Sequence, residues 1–316
     1  MDVTETQYRI LQLCAIRIDR ESVDWSLIAR QAQDPGGLNE LWHGIVREKS
    51  AAARRSVPIL RRGLRDAAPL AQRVDAELKA AAAADARLVT VADDAYPANL
   101  RLIPNLPPFL FYRGDLREED ARSVAVVGTR EATDKGLERA GKMARLLAER
   151  AVTVISGLAR GIDTAAHRAA LAAGSRTIAV FGTGITRCYP AENRDLAAEI
   201  ARSGALVSQF WPTHPPGRDT FPRRNVVTSG ISQGTVVIEA SSTSGAKMQA
   251  RLAIEHGKKV FLVHSLVRSQ KWASEYVERR GAIEVADVDE VVSRLADPER
   301  VRQATVQQTQ LTLSLL

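Results

Sequence analysis

Short apolar runs alternate with helical segments from residue 123 to about residue 296. The runs lie at 123–127, 152–156, 177–181, 205–209, 235–239, 259–263 and 282–285. Nearly every position in them is apolar, which is typical of strands buried on both faces of a parallel sheet. Each run is followed by a segment long enough for a crossover helix. The pattern therefore predicts an α/β fold with a doubly wound, mostly parallel sheet over residues 123–300.

The first 85 residues have a different pattern. Apolar positions recur there at helical spacing, in the sets Ile10, Leu11, Cys14, Ile18 and Leu38, Leu41, Trp42, Ile45. These sets predict a small helical N-terminal domain over residues 1–85. Four prolines then exclude a long helix from residues 86–122, namely Pro97, Pro104, Pro107 and Pro108. We expect this second segment to be an extended connector that leads into the sheet, and residues 301–316 to form a tail.

Composition narrows the class of protein. The apolar runs are far below the roughly 20 residues that span a bilayer, and the N-terminus lacks the basic and apolar regions of a secretory signal. Two cysteines, Cys14 and Cys188, are too few for a disulfide framework or a zinc site. We therefore expect a cytoplasmic protein without a metal.

A net charge of +7 favours an anionic partner such as nucleic acid. The charge is concentrated in residues 45–73, whose basic side chains outnumber Glu48 and Asp66; they are Arg47, Lys49, Arg54, Arg55, Arg61, Arg62, Arg65 and Arg73. This stretch has two interpretations: a phosphate-contacting face, or a solvated helix face whose arginine stems pack on the surface.

The loops after the predicted strands contain the candidate binding residues. Ligands of such sheets bind beyond the carboxyl ends of the strands, where glycines allow close backbone approach and helix N-termini attract anions. The sequence predicts a phosphate-binding rim from Gly128, Thr129, Arg130, Ser156, Gly157, Arg160, Gly161, Ser244, Gly245 and Lys247. One such loop alone is more simply explained by a tight turn, whereas several on one sheet edge favour the rim.

Known nucleotide motifs are missing. The first strand is followed by a single glycine instead of G-x-G-x-x-G, and no G-x-x-x-x-G-K-[ST] occurs. Asp163 and His167 are one helical turn apart and form a candidate acid/base pair. The preferred interpretation is that Asp163 caps its helix and His167 makes a fixed structural hydrogen bond. We therefore predict no cofactor and no catalytic residues.

A basic and aromatic segment precedes a predicted helix. It contains Phe221, Arg223, Arg224 and Asn225 within five residues. Arginine forks bind phosphates, and a phenylalanine ring offers a face on which an unpaired base stacks. The alternative is that Phe221 fills the core while the arginines pair with Asp219 or Glu239.

Taken together, these segments resemble the DprA/Smf family. The family motifs appear here as Gly128-Thr-Arg130, Ser156 to Asp163 with Ala166-His167, Gly182 to Tyr189-Pro190, Phe221 to Asn225, and Glu239 to Gly245. The resemblance implies an extended Rossmann-like fold, single-stranded DNA in a basic pocket, a homodimer and loading of RecA in transformation or recombination. It places Arg130, Phe221, Arg224 and Asn225 at the pocket.

Four segments depart from the family pattern: Val226, Ser208-Gln209, residues 246–249 and His264-Ser265. We expect them to cluster at the ligand edge and to alter pocket shape or ligand. A rival hypothesis is therefore a nucleotide-ligand sensor or effector of the same superfamily, acting in phage defence. A nucleotide phosphoribohydrolase is a weaker rival, because its P-G-G-x-G-T-x-x-E loop is missing.

The chain ends in a glutamine followed by leucines, at Gln310, Leu313, Leu315 and Leu316. This pattern is similar to the short peptides by which bacterial repair proteins bind the sliding clamp. An edge strand or a segment folded back on the core is the structural alternative.

Overall fold

The computed structural model describes residues 1–304, whose strands and helices are given below in chain order; residues 298–304 are also helical. The N-terminal segment holds α1 (Glu5–Ala15), β1 (Arg17–Ile18), β2 (Glu21–Ser22), α2 (Trp25–Ala32), α3 (Gly37–Trp42), α4 (Ala51–Gly63) and α5 (Ala68–Ala83). The next segment holds β3 (Arg87–Thr90), α6 (Ala98–Arg101) and β4 (Phe109–Gly114).

The remaining elements alternate strand and helix. They are β5 (Ser123–Val127), α7 (Asp134–Ala148), β6 (Thr153–Ser156), α8 (Ile162–Ala172), β7 (Thr177–Val180), α9 (Arg194–Ser203), β8 (Ala205–Ser208), α10 (Thr220–Ile231), β9 (Gly234–Val237), α11 (Gly245–Glu255), β10 (Lys259–Val263), α12 (His264–Ser269), α13 (Lys271–Arg280), β11 (Ile283–Val285) and α14 (Val288–Val292). Single 3₁₀ turns lie at Glu118–Ala121 and Ala191–Asn193.

The large sheet has nine strands in the order β11-β10-β9-β5-β6-β7-β8-β4-β3. Strands β5 to β11 are parallel to one another, whereas β4 pairs antiparallel with both β8 and β3. This mostly parallel, doubly wound sheet confirms the predicted fold class. The chain reverses its winding direction at β5, between β9 and β6, which is where such folds bind ligands.

The strands predicted from apolar runs agree with the structure to within one or two residues. The segment 86–122 differs from its prediction, because β3 and β4 form the antiparallel edge of the sheet instead of an extended connector. Its prolines lie outside these strands, at the start of α6 and between α6 and β4. The pairing of two short strands separated by a proline-rich stretch is a tertiary contact that a local pattern does not reveal.

The N-terminal helices share a hydrophobic core with this edge of the sheet. Trp25 of α2 contacts Phe109 of β4 with ring centroids 5.0 Å apart, and Phe109 lies 5.2 Å from Trp211 after β8. Two predicted helical positions fall elsewhere: Ile18 lies in β1, and Ile45 is exposed beyond the end of α3. Within residues 1–304, no helix is long and apolar enough to cross a membrane.

Candidate functional site

A cavity of about 840 Å³ opens at the carboxyl ends of β5, β6 and β9 and is bounded by the start of α10. Of the predicted site residues, it is lined by Gly128, Thr129, Arg130, Gly157, Phe221, Arg224, Asn225, Ser244 and Gly245. The structure therefore brings residues from four separate loops into one place. We call this space the main cavity.

An exposed arginine and two aromatic rings form one wall of the main cavity. The guanidinium carbon of Arg130 lies 5.3 Å from the centroid of the Phe221 ring, a cation–π distance. Tyr189 is 48% exposed, and its ring centroid lies 5.5 Å from that of Phe221. A Cβ atom on Gly182 would lie 2.6 Å from the Phe221 ring, so this glycine makes room for the ring. The wall offers both a cation and aromatic faces to a ligand.

Arg224 is buried beneath this wall. Its Nη1 donates to the carbonyl oxygens of Gly157 at 2.6 Å and Val180 at 2.8 Å, and its Nε donates to Asn225 Oδ1 at 3.2 Å. The sequence led us to expect a phosphate contact here. The structure instead places the Arg224 guanidinium where it joins α10 to the ends of β6 and β7 through these two carbonyls.

Asp163 holds the loop that precedes its helix. Its Oδ2 accepts hydrogen bonds from the N–H groups of Gly157 at 3.1 Å and Ala159 at 3.3 Å. The N-cap residue of α8 is Gly161, so the expectation that Asp163 caps its helix is wrong in detail. Burial raises the pKa of Asp163, and the nearby Arg224 opposes that shift. This carboxyl group therefore stabilises a loop at the cavity.

His167 is fully buried on the same helix. Thr177 Oγ1 donates to the Val154 carbonyl at 2.7 Å, so it accepts from His167 Nδ1, which also lies at 2.7 Å. Burial lowers the pKa of His167 to about 3, which keeps the ring neutral. The preferred sequence interpretation, a fixed structural hydrogen bond, agrees with this contact. A buried neutral histidine that has no access to a ligand is unsuited to acid/base catalysis.

The loop after β5 is held by the end of β9. The Thr129 N–H donates to the Glu239 carbonyl at 2.7 Å, and Thr133 Oγ1 donates to Glu239 Oε2 at 2.8 Å. A Cβ atom on Gly136 would lie 2.0 Å from that same Oε2. Glu239 thus fixes the start of α7 against the rim of the main cavity and does not pair with Arg223 or Arg224.

Several predicted site residues do not line the main cavity. Ser156 is fully buried, and its Oγ donates to the Val126 carbonyl at 2.7 Å. Gly161 has a φ of +71°, and a Cβ there would lie 2.5 Å from the Thr129 carbonyl oxygen. Both residues support the loops without contacting the cavity.

Three predicted cations also lie outside the main cavity. Arg160 forms a two-point ion pair with Glu192 at 2.7 and 2.6 Å and borders a small side pocket beside Tyr189. Arg223 lies over the Phe210 ring at 5.1 Å and pairs with Asp219 at 3.7 Å. Lys247 lies 5.8 Å from the Trp272 ring centroid. Arg160 lies in the loop before α8, whereas Arg223 and Lys247 lie on helices α10 and α11, and a spacing argument alone did not reveal that all three have protein partners.

The basic stretch 45–73 is partly neutralised by protein contacts. Arg61 donates to the Gly44 carbonyl at 3.0 Å, Arg62 pairs with Asp19 at 2.8 Å, and Arg73 lies 5.2 Å from the Trp211 ring centroid. Arg47 pairs with Glu40. These contacts favour the interpretation of arginine stems packed on the surface for part of the stretch. Among the described residues, no cluster of His, Cys, Asp and Glu side chains could hold a metal ion.

Comparison with protein families shows to which family this chain belongs. A family model described as "DNA recombination-mediator protein A" matches residues 87–296, which include every wall of the main cavity. The chain belongs to this family.

Curated relatives carry the names of the same family. Protein Smf of Escherichia coli is 38% identical over 211 residues, which are 66% of this chain and 56% of that protein. DNA processing protein DprA of Streptococcus pneumoniae is 39% identical over 174 residues, which are 55% of this chain and 61% of that protein. This chain therefore spans roughly half the length of the curated relatives it matches.

Two solved structures of the family share the fold. The crystal structure of DprA from Streptococcus pneumoniae has a TM-score of 0.71 and 26% identity, and the match covers 94% of this chain and 100% of that one. A DprA structure from Helicobacter pylori, which concerns the single-stranded DNA binding mode of that protein, has a TM-score of 0.58 and 25% identity and covers 66% of this chain and 94% of that one.

The segments that depart from the DprA family pattern are spread more widely than expected. Met248 and Gln249 line the main cavity. The Gln249 amide bridges the Asn225 carbonyl at 3.3 Å and the Ser229 N–H at 3.2 Å. In contrast, Val226 packs on the core and His264 pairs with Glu284. The expected clustering is thus correct only for the start of α11.

Sequence reasoning did not name Glu131, Tyr189 and Arg218 as site residues, although they line the main cavity. Tyr189 stood in a recognised family motif, which was a usable signal. Arg218 lies in a proline- and glycine-rich loop without a pattern, so only the fold brings it to the site. The predicted clamp-binding residues Gln310, Leu313, Leu315 and Leu316 lie outside the described residues, and that hypothesis stays a prediction.

Proposed function

We propose that this chain binds single-stranded DNA in the main cavity and acts as a DNA recombination mediator. The observation that carries the proposal is the Arg130 guanidinium over the Phe221 ring, with the exposed Tyr189 ring beside it. Stacking on aromatic rings holds unpaired bases, and an arginine next to the ring binds the adjoining phosphate. Membership of the recombination-mediator family and the DNA-binding relative support the same function.

The site favours a single strand over a duplex. A base reaches an aromatic ring face only when it is not stacked inside a double helix. Phe221 and Tyr189 lie at the wall of a cavity at the end of the sheet, instead of along a flat surface that a duplex would cover. Opening a duplex to insert one base would cost a few kcal/mol per base, which a single strand avoids.

We further propose that the chain works by binding and has no catalytic activity. The two titratable groups predicted as an acid/base pair, Asp163 and His167, are buried in structural hydrogen bonds. Two partner proposals rest on family membership alone: a homodimer, and transfer of the strand to RecA.

Binding of labelled oligo-dT of about 20 nucleotides tests the function, by fluorescence anisotropy from about 50 to 200 mM salt. We expect tighter binding to oligo-dT than to a duplex of equal length. The logarithm of the binding constant should fall linearly with the logarithm of the salt concentration. Arg130→Ala lowers the salt slope by about 0.7, the value for one phosphate on a single strand. Arg202→Ala is the matched control, because Arg202 is an exposed arginine at the end of α9, on the opposite edge of the sheet.

Competition with free nucleotides distinguishes DNA binding from the rival hypothesis of a nucleotide sensor. The volume of the main cavity also suits a small phosphorylated ligand, which would occupy the site of a nucleotide sensor. If a mononucleotide displaces the oligonucleotide at micromolar concentration, or if the duplex binds equally well, the DNA-mediator proposal is wrong.

A further inference from the structure

A second cavity of about 700 Å³ adjoins the main cavity. Three arginines line it: Arg113 from β4, Arg187 from the loop after β7, and Arg194 from the first residue of α9. None of the described residues that line it is acidic. We call it the arginine cavity. Three cations around one concave space without a lining carboxylate create a positive potential that favours an anion.

Arg113 contributes a partly buried guanidinium to this cavity. Its Nε is buried and, among the described residues, lacks a hydrogen-bond partner. Leaving a buried charged N–H group unpaired is costly, and native structures usually explain such a group by a bound ligand, ion or water. The Nε atom itself is closed to solvent, so a phosphate in the arginine cavity would contact the part of the Arg113 guanidinium that lines the cavity.

Arg187 and Arg194 are positioned from different elements. Arg187 Nε donates to the Thr213 carbonyl at 2.8 Å, and Glu77 of α5 in turn accepts from the Thr213 N–H at 3.0 Å. Arg194 occupies the first turn of a ten-residue helix, where the helix dipole disfavours a cation and favours an anion. An anion bound there would compensate both the dipole and the arginine charge.

The two cavities meet at Tyr189 and Pro216, which line both of them. A chain held in the main cavity can therefore continue past the Tyr189 ring into the arginine cavity. Three arginines line each cavity, and the main cavity adds the Phe221 ring, on which a base can stack. Phosphates of one strand can therefore be bound on both sides of Tyr189, with the stacked base in the main cavity.

We propose that the arginine cavity binds backbone phosphates of the same DNA strand whose bases occupy the main cavity. This inference rests on the proposed function, because the strand must first bind there. The ligand chemistry is a phosphate group, and a free phosphate compound is the other possible source. The experiment below has one arm for each source.

Oligonucleotides of two lengths distinguish binding in the main cavity from binding in the arginine cavity. We expect the double variant Arg113→Ala, Arg194→Ala to bind oligo-dT of about 20 nucleotides more weakly, with a salt slope lower by about 1.4, or 0.7 per lost phosphate contact. The same variant should bind oligo-dT of about four nucleotides like the wild type, because so short a strand fits the main cavity alone. Arg202→Ala is the control at both lengths.

Stability of the variants is checked by thermal unfolding. Arg194→Ala alone provides a second variant, because Arg194 is exposed and the loss of a cation from the first turn of a helix does not weaken that helix. This single variant should lower the slope for the long strand by about 0.7. A fold defect in Arg113→Ala therefore does not decide the outcome.

The rate at which the Cys188 thiol is labelled reports directly whether the arginine cavity is occupied. It lines the arginine cavity and is half-buried, whereas the other cysteine, Cys14, is buried in the core. Burial raises the pKa of the Cys188 thiol, so labelling with a thiol reagent is measured at alkaline pH. The long strand should slow labelling in the wild type but not in the double variant, and the short strand should slow it in neither.

The possible failures are distinguishable. If the wild type does not bind the long strand, the proposed function itself fails. If the wild type and Arg130→Ala behave as proposed but the double variant keeps the wild-type slope at both lengths, only the arginine-cavity proposal is overturned. Protection of Cys188 by inorganic pyrophosphate, together with an unchanged slope for DNA, would assign the cavity to a free phosphate compound and also overturn it.

Discussion

Arg224 Nη1 donates to the carbonyl oxygen of Gly157 at 2.6 Å, and a Cβ atom on Gly157 would lie only 1.8 Å from that same nitrogen. The glycine is therefore required by a buried arginine rather than by a ligand. This contact fastens the start of α10, which carries Phe221, to the loop after β6. The position of the aromatic wall thus depends on an internal hydrogen bond.

Gly157→Ala is expected to destabilise the protein. The added methyl group has to displace the Arg224 guanidinium, which is confined by two carbonyls, and such overpacking typically costs about 1–3 kcal/mol. Urea unfolding measures the loss. Gly245→Ala is the control, because among the described residues no atom lies within 4 Å of the position of its Cβ, and we expect a change within about 0.5 kcal/mol. Equal stability of both variants would contradict the proposed clash.

Arg224→Ala is expected to act mainly on stability. It leaves the Gly157 and Val180 carbonyls without their donor and removes the positive charge near buried Asp163, at a cost of about 3 kcal/mol. Arg224→Lys recovers only part of this, because one ammonium group cannot reproduce the planar fork. Unfolding curves and the salt slope of DNA binding are both measured. If the Arg224→Ala variant is as stable as the wild type and has a lower salt slope, Arg224 contacts a phosphate directly, as the sequence led us to expect.

Phe221→Ala is expected to weaken single-strand binding by about 1–3 kcal/mol, the usual value for one stacked base, with an unchanged salt slope. Gly182→Ala tests the same ring without removing it, because its new Cβ would lie 2.6 Å from the Phe221 ring and displace it. We expect weaker binding there too. Wild-type affinity in both variants would exclude stacking on Phe221.

The buried histidine predicts a loss of stability in acid. The pKa of His167 is about 3 in the folded state and near 6.5 when unfolded, so between these values the unfolded chain binds more protons. Stability is fully present above pH 6.5 and falls as the pH decreases, by about 2 kcal/mol at about pH 5. His256, whose pKa is lowered to about 4 by burial, adds a loss of the same sign.

Urea unfolding at several pH values checks this prediction. His167→Gln should show a shallower dependence on pH than the wild type, because glutamine does not titrate. His43→Gln replaces an exposed histidine and is the matched control, which should keep the wild-type dependence. An identical pH dependence in His167→Gln and the wild type would rule out the role assigned to His167.

The local pattern of apolar and polar residues was sufficient to predict the parallel strands and part of the candidate site. Strands such as Ser123–Val127 are apolar at nearly every position because both faces are covered by helices, so they stand out in the sequence. Because parallel strands end at a common edge, Gly128, Arg130 and Gly157 were correctly expected to lie together. The aromatic and basic character of Phe221 to Asn225 was likewise visible without a structure.

Tertiary structure alone decided the function of each side chain within these motifs. Arg130 and Arg224 are chemically identical, yet one is exposed over an aromatic ring and the other is buried among carbonyl oxygens. Spacing along the chain does not distinguish them, because burial depends on which distant loop covers each position. Tertiary contacts likewise decide the pairing of β3 with β4 and the formation of the arginine cavity. Arg113 and Arg194 are distant in sequence and line one cavity only because β4 pairs with β8 next to α9.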